Sequence, residues 1–559
     1  MSTSAAAGQA EKIKSGYTFE GPCVDLGAAL VGGEVHPDAR VRLPLSMMNR
    51  HGLVAGATGT GKTITLQVMA EQLSANGVPV FLTDIKGDLT GLSTPGTPSD
   101  KLLARTRSVG MEWTPKTFPV EYFSLGGDGA GIPVRATISS FGPLLLSRIM
   151  ELNETQESSL QLIFHYADTK DLLLYDFKDL RAVISHLTGD EGKAELRELG
   201  GLSKATAGVI LRELVALEAQ GLEKFFGEPE FDTAELLRMA PDGRGVISCL
   251  ELPTILQKPL VFSTFLVWLL ADLFEELPEV GDADKPKLVF FLDEAHLLFR
   301  DASKAFLDSI MTTVRLIRSK GVGVFFVTQT PKDVPADVLG QLANRVQHAL
   351  RAFTPDDAKA LRATVSTFPV SDYDLEEALT QAGTGEAIVT VMNENGAPTP
   401  VAWTRMWTPE STMGASAAEV VARTVSESAL LSVYGTVTDR ESAYEVLKGR
   451  ATAEPALGSA TGGSVAGRVP GAGQSQEDID AESRRIEEDI LGRPGSLPNS
   501  APPSRGDDPV PAPRGRKQAP ERVPKQEQNP MMDFAVQAAG AIGKELLRGM
   551  FGTKRRRRR

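Results

Sequence analysis

Short apolar runs and helical stripes alternate along most of this chain. His51–Gly56 is an apolar run that feeds a glycine-rich turn; Lys62–Ser74 carries a helical stripe, and Val78–Thr83 is a second buried run. Strand, helix, strand in that order is a βαβ unit. Strand-like runs resume at Gly245–Leu250, Lys287–Leu292, Gly323–Val327 and Arg345–Arg351, mostly separated by helical segments, as a mostly parallel sheet requires. Residues 139–226 change character: Leu144–Leu152, Ser158–Tyr166 and Lys204–Gln220 repeat at helical spacing and predict an all-helical insertion. Tyr17–Leu45 is short, glycine-punctuated and mildly apolar, which predicts a few strands or hairpins, and Gly385–Val391 with Pro398–Arg405 predicts an edge hairpin. The fold class is α/β with a mostly parallel central sheet.

The two ends break this pattern. Residues 1–15 are polar and rich in Ala and Ser, without a signal-peptide stretch, and are expected to be disordered. A helical extension is expected over 414–449. Past Arg450 the composition shifts to Ala, Gly, Ser and Pro and predicts a disordered linker over 450–529. Residues 530–559 recover a stripe (Ala535, Ala539, Ile542, Leu546, Met550) followed by an all-basic Lys554–Arg559, an amphipathic helix with a basic tail.

Composition narrows the picture modestly. Leu260–Phe274 is shorter than the ~18–20 residues that span a bilayer and holds Ser263, Thr264 and Asp272, so it predicts a buried helix and no transmembrane segment. Cys23 and Cys249 lie far apart and match no metal-ligand spacing, which fits a cytoplasmic protein with free thiols. The net charge of −13 excludes a surface that is basic all over, though not a local basic channel.

Candidate chemistry concentrates in two strings. Gly56-Ala57-Thr58-Gly59-Thr60-Gly61-Lys62-Thr63 fits the G-x-x-x-x-G-K-[ST] phosphate loop. Its glycines let backbone N–H groups turn inward onto phosphate oxygens, and the start of the following helix adds a positive field. Lys62 is expected to reach the β- and γ-phosphates of ATP, and Thr63 to hold Mg²⁺. The second string, Leu288–Glu294, is an apolar strand that ends in two carboxylates. Asp293 is expected to support Mg²⁺, and Glu294 to orient or deprotonate the attacking water. Asp293–His296 spells Asp-Glu-Ala-His, in which His296 reads as a structural helix-start residue. Gln329, at the end of another buried strand, is placed to hydrogen-bond the attacking water or the γ-phosphate. Asp84, Lys86 and Asp88 follow the second strand, at the sheet edge where open α/β sheets bind ligands.

Taken together, these strings resemble the HerA/FtsK branch of RecA-like P-loop ATPases and in particular the bacterial HerA-like family. The resemblance runs over about 16–413 and rests on Arg50–Thr63, Asp84–Leu89, Thr328–Pro335 and Asn344–Arg351. It implies a RecA-like ATPase domain over those residues and a homo-hexameric ring with ATP between subunits. By motif position it implies a trans-acting arginine at Arg50 and a sensor arginine at Arg318. HerA proper carries a sizeable β-barrel before its loop, and too few residues precede Gly56 here for that barrel, so a nuclease partnership is not carried over. The leading expectation is an ATP-driven ring motor on double-stranded DNA, as translocase or helicase. The alternatives are an ATPase that remodels or regulates a protein assembly, with the C-terminal helix as the docking arm for a protein partner, or a switch set by nucleotide occupancy.

Overall fold

The structure is a computed structural model that describes residues 3–198, 200–252, 259–281, 283–300 and 304–453. The expected linker and basic helix therefore lie outside the described residues, apart from the linker's first four.

Runs that are apolar at nearly every position become the middle of one large sheet. In chain order its strands are β1 (Cys23–Val31), β2 (Glu34–Pro44), β3 (Gly52–Ala55), β4 (Val80–Asp84), β5 (Val120–Leu125), β6 (Ile132–Val134), β7 (Ile247–Glu251), β8 (Leu288–Leu292), β9 (Val322–Thr328), β10 (Asn344–His348), β11 (Glu386–Thr390) and β12 (Ala402–Met406). They lie in the order β2-β1-β12-β11-β10-β3-β9-β8-β4-β7-β5-β6. Every pair from β10 to β6 is parallel, and every pair from β2 to β10 is antiparallel. β3, β4, β8 and β9 are buried at every position, the mark of parallel strands covered on both faces. β2 instead mixes exposed and buried positions and carries Pro37, as an edge strand does.

Two expectations change here. Residues 1–15, read as disordered, largely form α1 (Thr3–Gly16), which packs on β1 and β2. Ala10 and Ile13 are buried there, and the fully buried Tyr17 anchors the exit by donating to the carbonyls of Val389 (3.0 Å) and Pro400 (2.9 Å). The Ala-rich sequence has high helix propensity, and burial of one face supplies the rest. The hairpin of β11 and β12 forms, but away from the edge. β1 pairs with β12 through Gly27↔Met406, and β2 closes the sheet beyond it.

Helices cover the parallel half. α2 (Lys62–Ala75) follows β3, and α3 (Asp100–Ser108) lies on the way from β4 to β5. Among the described residues the regular elements of the insertion are helices: α4 (Ile138–Ile149), α5 (Glu154–Thr169), α6 (Phe177–Thr188), α7 (Lys193–Glu198) and α8 (Lys204–Ala219). Reciprocal capping boxes fix three of its starts, Thr137 with Ser140, Asn153 with Gln156 and Asp176 with Asp179. Leu260–Phe274 falls in α9 (Pro259–Glu276), which is buried without interruption from Val261 to Ala271. Among the described residues no helix is long and apolar enough to cross a membrane. Beyond 414 the chain forms helices at Ala418–Glu427, Ala429–Tyr434 and Ala443–Ala453. The last two are tied down by Arg135 on the Tyr434 carbonyl (3.0 Å) and by the Ala443 amide on the Leu173 carbonyl (2.9 Å).

Candidate nucleotide site

Because β3, β9, β8 and β4 run parallel, their C-terminal ends open on one edge, and the loops after them meet there. β9 lies between the strand that carries the phosphate loop and the strand that carries the two carboxylates. Backbone bonds lock these strand ends to one another and to the end of β10. Gly56 N–H donates to the Thr328 carbonyl (3.2 Å), Ala57 N–H to Ala349 (2.8 Å), and Ala295 N–H to Val327 (2.9 Å).

The phosphate loop has the conformation its glycines permit. Gly56 and Gly61 sit at φ 154° and 113°, and a Cβ on Gly56 would lie 2.5 Å from that of His348. Among the described residues the amides of Thr58, Gly59 and Gly61 have no acceptor, which leaves a set of unpaired donors at the start of α2. Lys62 is buried and turned back into its own loop, donating to the carbonyls of Gly56 (2.7 Å) and Ala57 (3.2 Å). Burial lowers its pKa, against the opposing pull of Glu294 and Asp293. Thr63 follows in the first turn of α2, on the same loop.

His348 braces this loop from behind. Its Nδ1 pairs with the Glu386 carbonyl and its Nε2 with the Thr65 hydroxyl, both at 2.9 Å. A carbonyl can only accept, so Nδ1 carries the proton and Nε2 accepts from Thr65. Burial pushes its pKa down to about 4, so the ring is neutral at pH 7. Thr60 adds a second brace by accepting the Gly385 N–H at its carbonyl (2.9 Å), while Arg105 of α3 holds the Gly385 carbonyl (2.7 Å).

The carboxylates differ in character. Burial, with the neighbouring charge of Glu294, pushes Asp293 up to about 6; its backbone N–H donates to the buried Thr83 hydroxyl (2.8 Å). Glu294 has left-handed backbone (φ 46°) and places Oε1 2.6 Å from Lys86 Nζ. His296 Nδ1 lies 3.3 Å from Oε2 without hydrogen-bond geometry. Burial would raise the Glu294 pKa, but the hydrogen bond and charge of Lys86, then His296 and Gln329, bring it below the ordinary carboxylate value. Gln329 is thus beside Glu294, at the exposed end of β9.

Asp84 turns inward instead. Its carboxylate accepts the N–H groups of Gly87 (2.7 Å), Asp88 (3.2 Å) and Leu89 (2.9 Å), so it shapes the loop that carries Lys86. Arg50 and Arg318 stand apart from this site. Each precedes the N-terminal end of its strand, β3 or β9, whereas the phosphate loop follows the C-terminal end. They lie at opposite edges of the sheet from the same chain's loop, because a parallel strand separates its ends by its whole length. Sequence reasoning missed Thr83, His348 and Arg105. The string Asn344–Arg351 contained the signal for His348, but the role appears only once β10 lies beside β3.

The donor set fits ATP and Mg²⁺. Free loop amides and Lys62 suit phosphate oxygens, and Thr63 with the buried Asp293 suits a hard divalent cation. A phosphate loop and paired carboxylates on one edge of a parallel sheet, with the intervening strand between them, define a P-loop ATPase. The chain belongs to the HerA-like helicase family, since the helicase HerA-like C-terminal family model matches residues 31–559. It is 22% identical over 369 residues to the DNA double-strand break repair helicase HerA of Sulfolobus acidocaldarius, and 22% over 370 residues to that of Sulfurisphaera tokodaii. Each alignment covers 65% of this chain and 66% of the relative, just short of two thirds of the relative's length. Among solved structures it is similar to the plasmid coupling protein TrwB in complex with an ATP analogue (13% identity, 72% of this chain and 95% of that one, TM-score 0.46). VirB4 of Thermoanaerobacter pseudethanolicus is also similar (15% identity, 69% and 96%, TM-score 0.42).

Proposed function

We propose that this ATPase hydrolyses ATP with Mg²⁺ and uses the cycle to move double-stranded DNA through a homo-hexameric ring. The observation that supports hydrolysis most directly is the placement of Glu294 on the phosphate-loop edge, one strand across from Lys62. Thr58, Gly59 and Gly61 would hold the phosphates by their amides, and Lys62 would leave its own loop carbonyls for the β- and γ-phosphates. Thr63 and Asp293 would hold Mg²⁺, which when bound neutralises charge on the phosphate oxygens. Glu294 would take the proton of the attacking water, with Gln329 beside it orienting that water. Arg50, away from its own chain's loop, would act in trans on a neighbour's phosphates, and Arg318 would serve as the sensor arginine. DNA as the track rests on family membership. The sequence over 530–559, which ends in the all-basic Lys554–Arg559, would add affinity for DNA or dock a protein partner.

The test is steady-state ATP hydrolysis by the wild type and Glu294→Gln, with and without duplex DNA, over a salt series. Stimulation that Glu294→Gln removes and salt weakens supports the DNA motor. Robust turnover blind to DNA would overturn it and point to a protein-directed ATPase. ATP binding with negligible turnover would point to an occupancy switch.

A further inference from the structure

The proposed general base is already engaged. Oε1 of Glu294 sits 2.6 Å from the Lys86 ammonium, and the carboxylate is buried while the lysine is about half exposed (47%). This pair joins two different loops, the one after β4 and the one after β8, across the edge where nucleotide would bind. The backbone that carries each partner is fixed. Asp84 ties down three successive amides behind Lys86, and Gly87 at φ 73° completes that turn. Glu294 is held by left-handed backbone that only a minority of non-glycine residues adopt, stabilised by Ala295 N–H on the Val327 carbonyl. Two fixed loops therefore bring an ammonium to the oxygen that would accept a proton from water.

A carboxylate oxygen that accepts a short charge-assisted hydrogen bond is directed at that donor. It must release the donor, or share it, before it can accept from a water aligned on a γ-phosphate. Lys86 has three donors and a flexible stem reaching towards solvent, so a competing anion at the sheet edge can draw it off.

We propose that Lys86 is a positioning residue that holds Glu294 out of the hydrolytic geometry in the resting chain and releases it when a phosphodiester backbone reaches the same edge. This rests on Glu294 being the base and DNA being the track. It adds that the loop after β4 couples the track to hydrolysis.

Lys86→Met keeps the stem and removes the charge. The expected result is a DNA-independent kcat on the order of tenfold above wild type, with KM for ATP unchanged and further stimulation by duplex DNA lost. Lys86→Arg, which retains the charge, should stay near wild type. Affinity for a fluorescent non-hydrolysable ATP analogue, read by anisotropy, should match wild type in both variants. A kcat that falls in Lys86→Met and returns in Lys86→Arg would overturn the proposal, because the cation would then assist the reaction. A raised basal rate that DNA still stimulates by the wild-type factor would also overturn it. Lys86→Met/Glu294→Gln separates this failure from failure of the underlying reading. Loss of turnover in the double variant supports release through Glu294, whereas a persisting increase overturns that route. Glu294→Gln alone turning over at the wild-type rate would instead remove Glu294 as the base.

Discussion

The loop after β3 and the loop after β4 open on the same edge of the sheet, and their backbones are satisfied in opposite ways. In the first, the amides of Thr58, Gly59 and Gly61 are left without an acceptor among the described residues, and support comes from outside, through His348, Thr328 and Gly385. In the second, Asp84 satisfies three amides from within, and the side chain it displays is a cation. Unpaired amides held by a rigid surround suit binding of a multiply charged anion. A self-capped turn needs no ligand and suits presentation of one side chain in a fixed place. The binding part of the site is thus borrowed from its neighbours, whereas the Lys86 loop is autonomous.

The largest effect should come from Glu294→Gln, where turnover falls by about 10²–10⁴-fold while ATP binding persists. Single-turnover hydrolysis and analogue binding, measured side by side, check this. Lys62→Ala should abolish hydrolysis as well, but with loss of nucleotide affinity, because it removes the only cation of the loop itself. If both variants behaved alike in binding, the division between a binding loop and a hydrolytic strand end would collapse.

Next in size is His348→Ala. It opens a cavity behind the phosphate loop and leaves the Thr65 hydroxyl and the Glu386 carbonyl without their buried partner. We expect a loss of about 2–4 kcal/mol in urea unfolding, together with weaker nucleotide binding, because the loop loses its brace. Loss of stability with unchanged nucleotide affinity would show that the loop holds its shape without external support.

The same histidine sets a pH dependence. Its folded pKa is about 4, below the ordinary value of 6.5, so between these values the unfolded chain binds more protons. Its contribution is complete above pH 6.5 and is lost as pH falls towards 4. Between pH 7 and pH 5 this amounts to about 2 kcal/mol. Unfolding midpoints of wild type and His348→Leu across that window should show a shallower dependence in the variant. A parallel pair of curves would mean that the buried ring is not the titrating group. His51, also depressed to about 4 by burial, remains in both proteins and cancels in the comparison.

These contrasts also explain what could be read from the chain. The phosphate loop and the Asp293–Glu294 strand end were legible because each is a contiguous string whose chemistry depends on local spacing, and β8 announces itself by five apolar residues. The parallel core followed from the same runs. His348 and Thr83 were not legible in their roles, because each acts on a loop hundreds of residues away in sequence. α1 was obscured by its composition: Ala and Ser give little hydrophobic contrast, and its order depends on the hairpin it covers. The placement of β11 and β12 inside the sheet failed for a related reason, since β1 reaches them from the far end of the domain and periodicity carries no record of partners. Arg50 and Arg318 were read by motif position, which does not say at which end of a strand the residue finishes.

The smallest effect should come from the autonomous loop. Asp84→Asn keeps the side-chain shape and one carbonyl-type acceptor for Gly87 and Asp88, but sets an amide donor against the Leu89 N–H. That clash is offset in part. Burial raises the Asp84 pKa, so its ionised form is a cost to the fold at neutral pH, and a neutral amide removes that cost. The two terms oppose one another, and we expect a net loss of only about 1 kcal/mol in urea unfolding. Hydrogen exchange at Gly87–Leu89 should nevertheless quicken, because the turn that fixes Lys86 loosens locally. Basal hydrolysis should then move in the direction of Lys86→Met, by a smaller factor. Faster exchange with no change in basal rate would mean that Lys86 finds Glu294 without help from Asp84, and that the turn's rigidity is not what holds the pair.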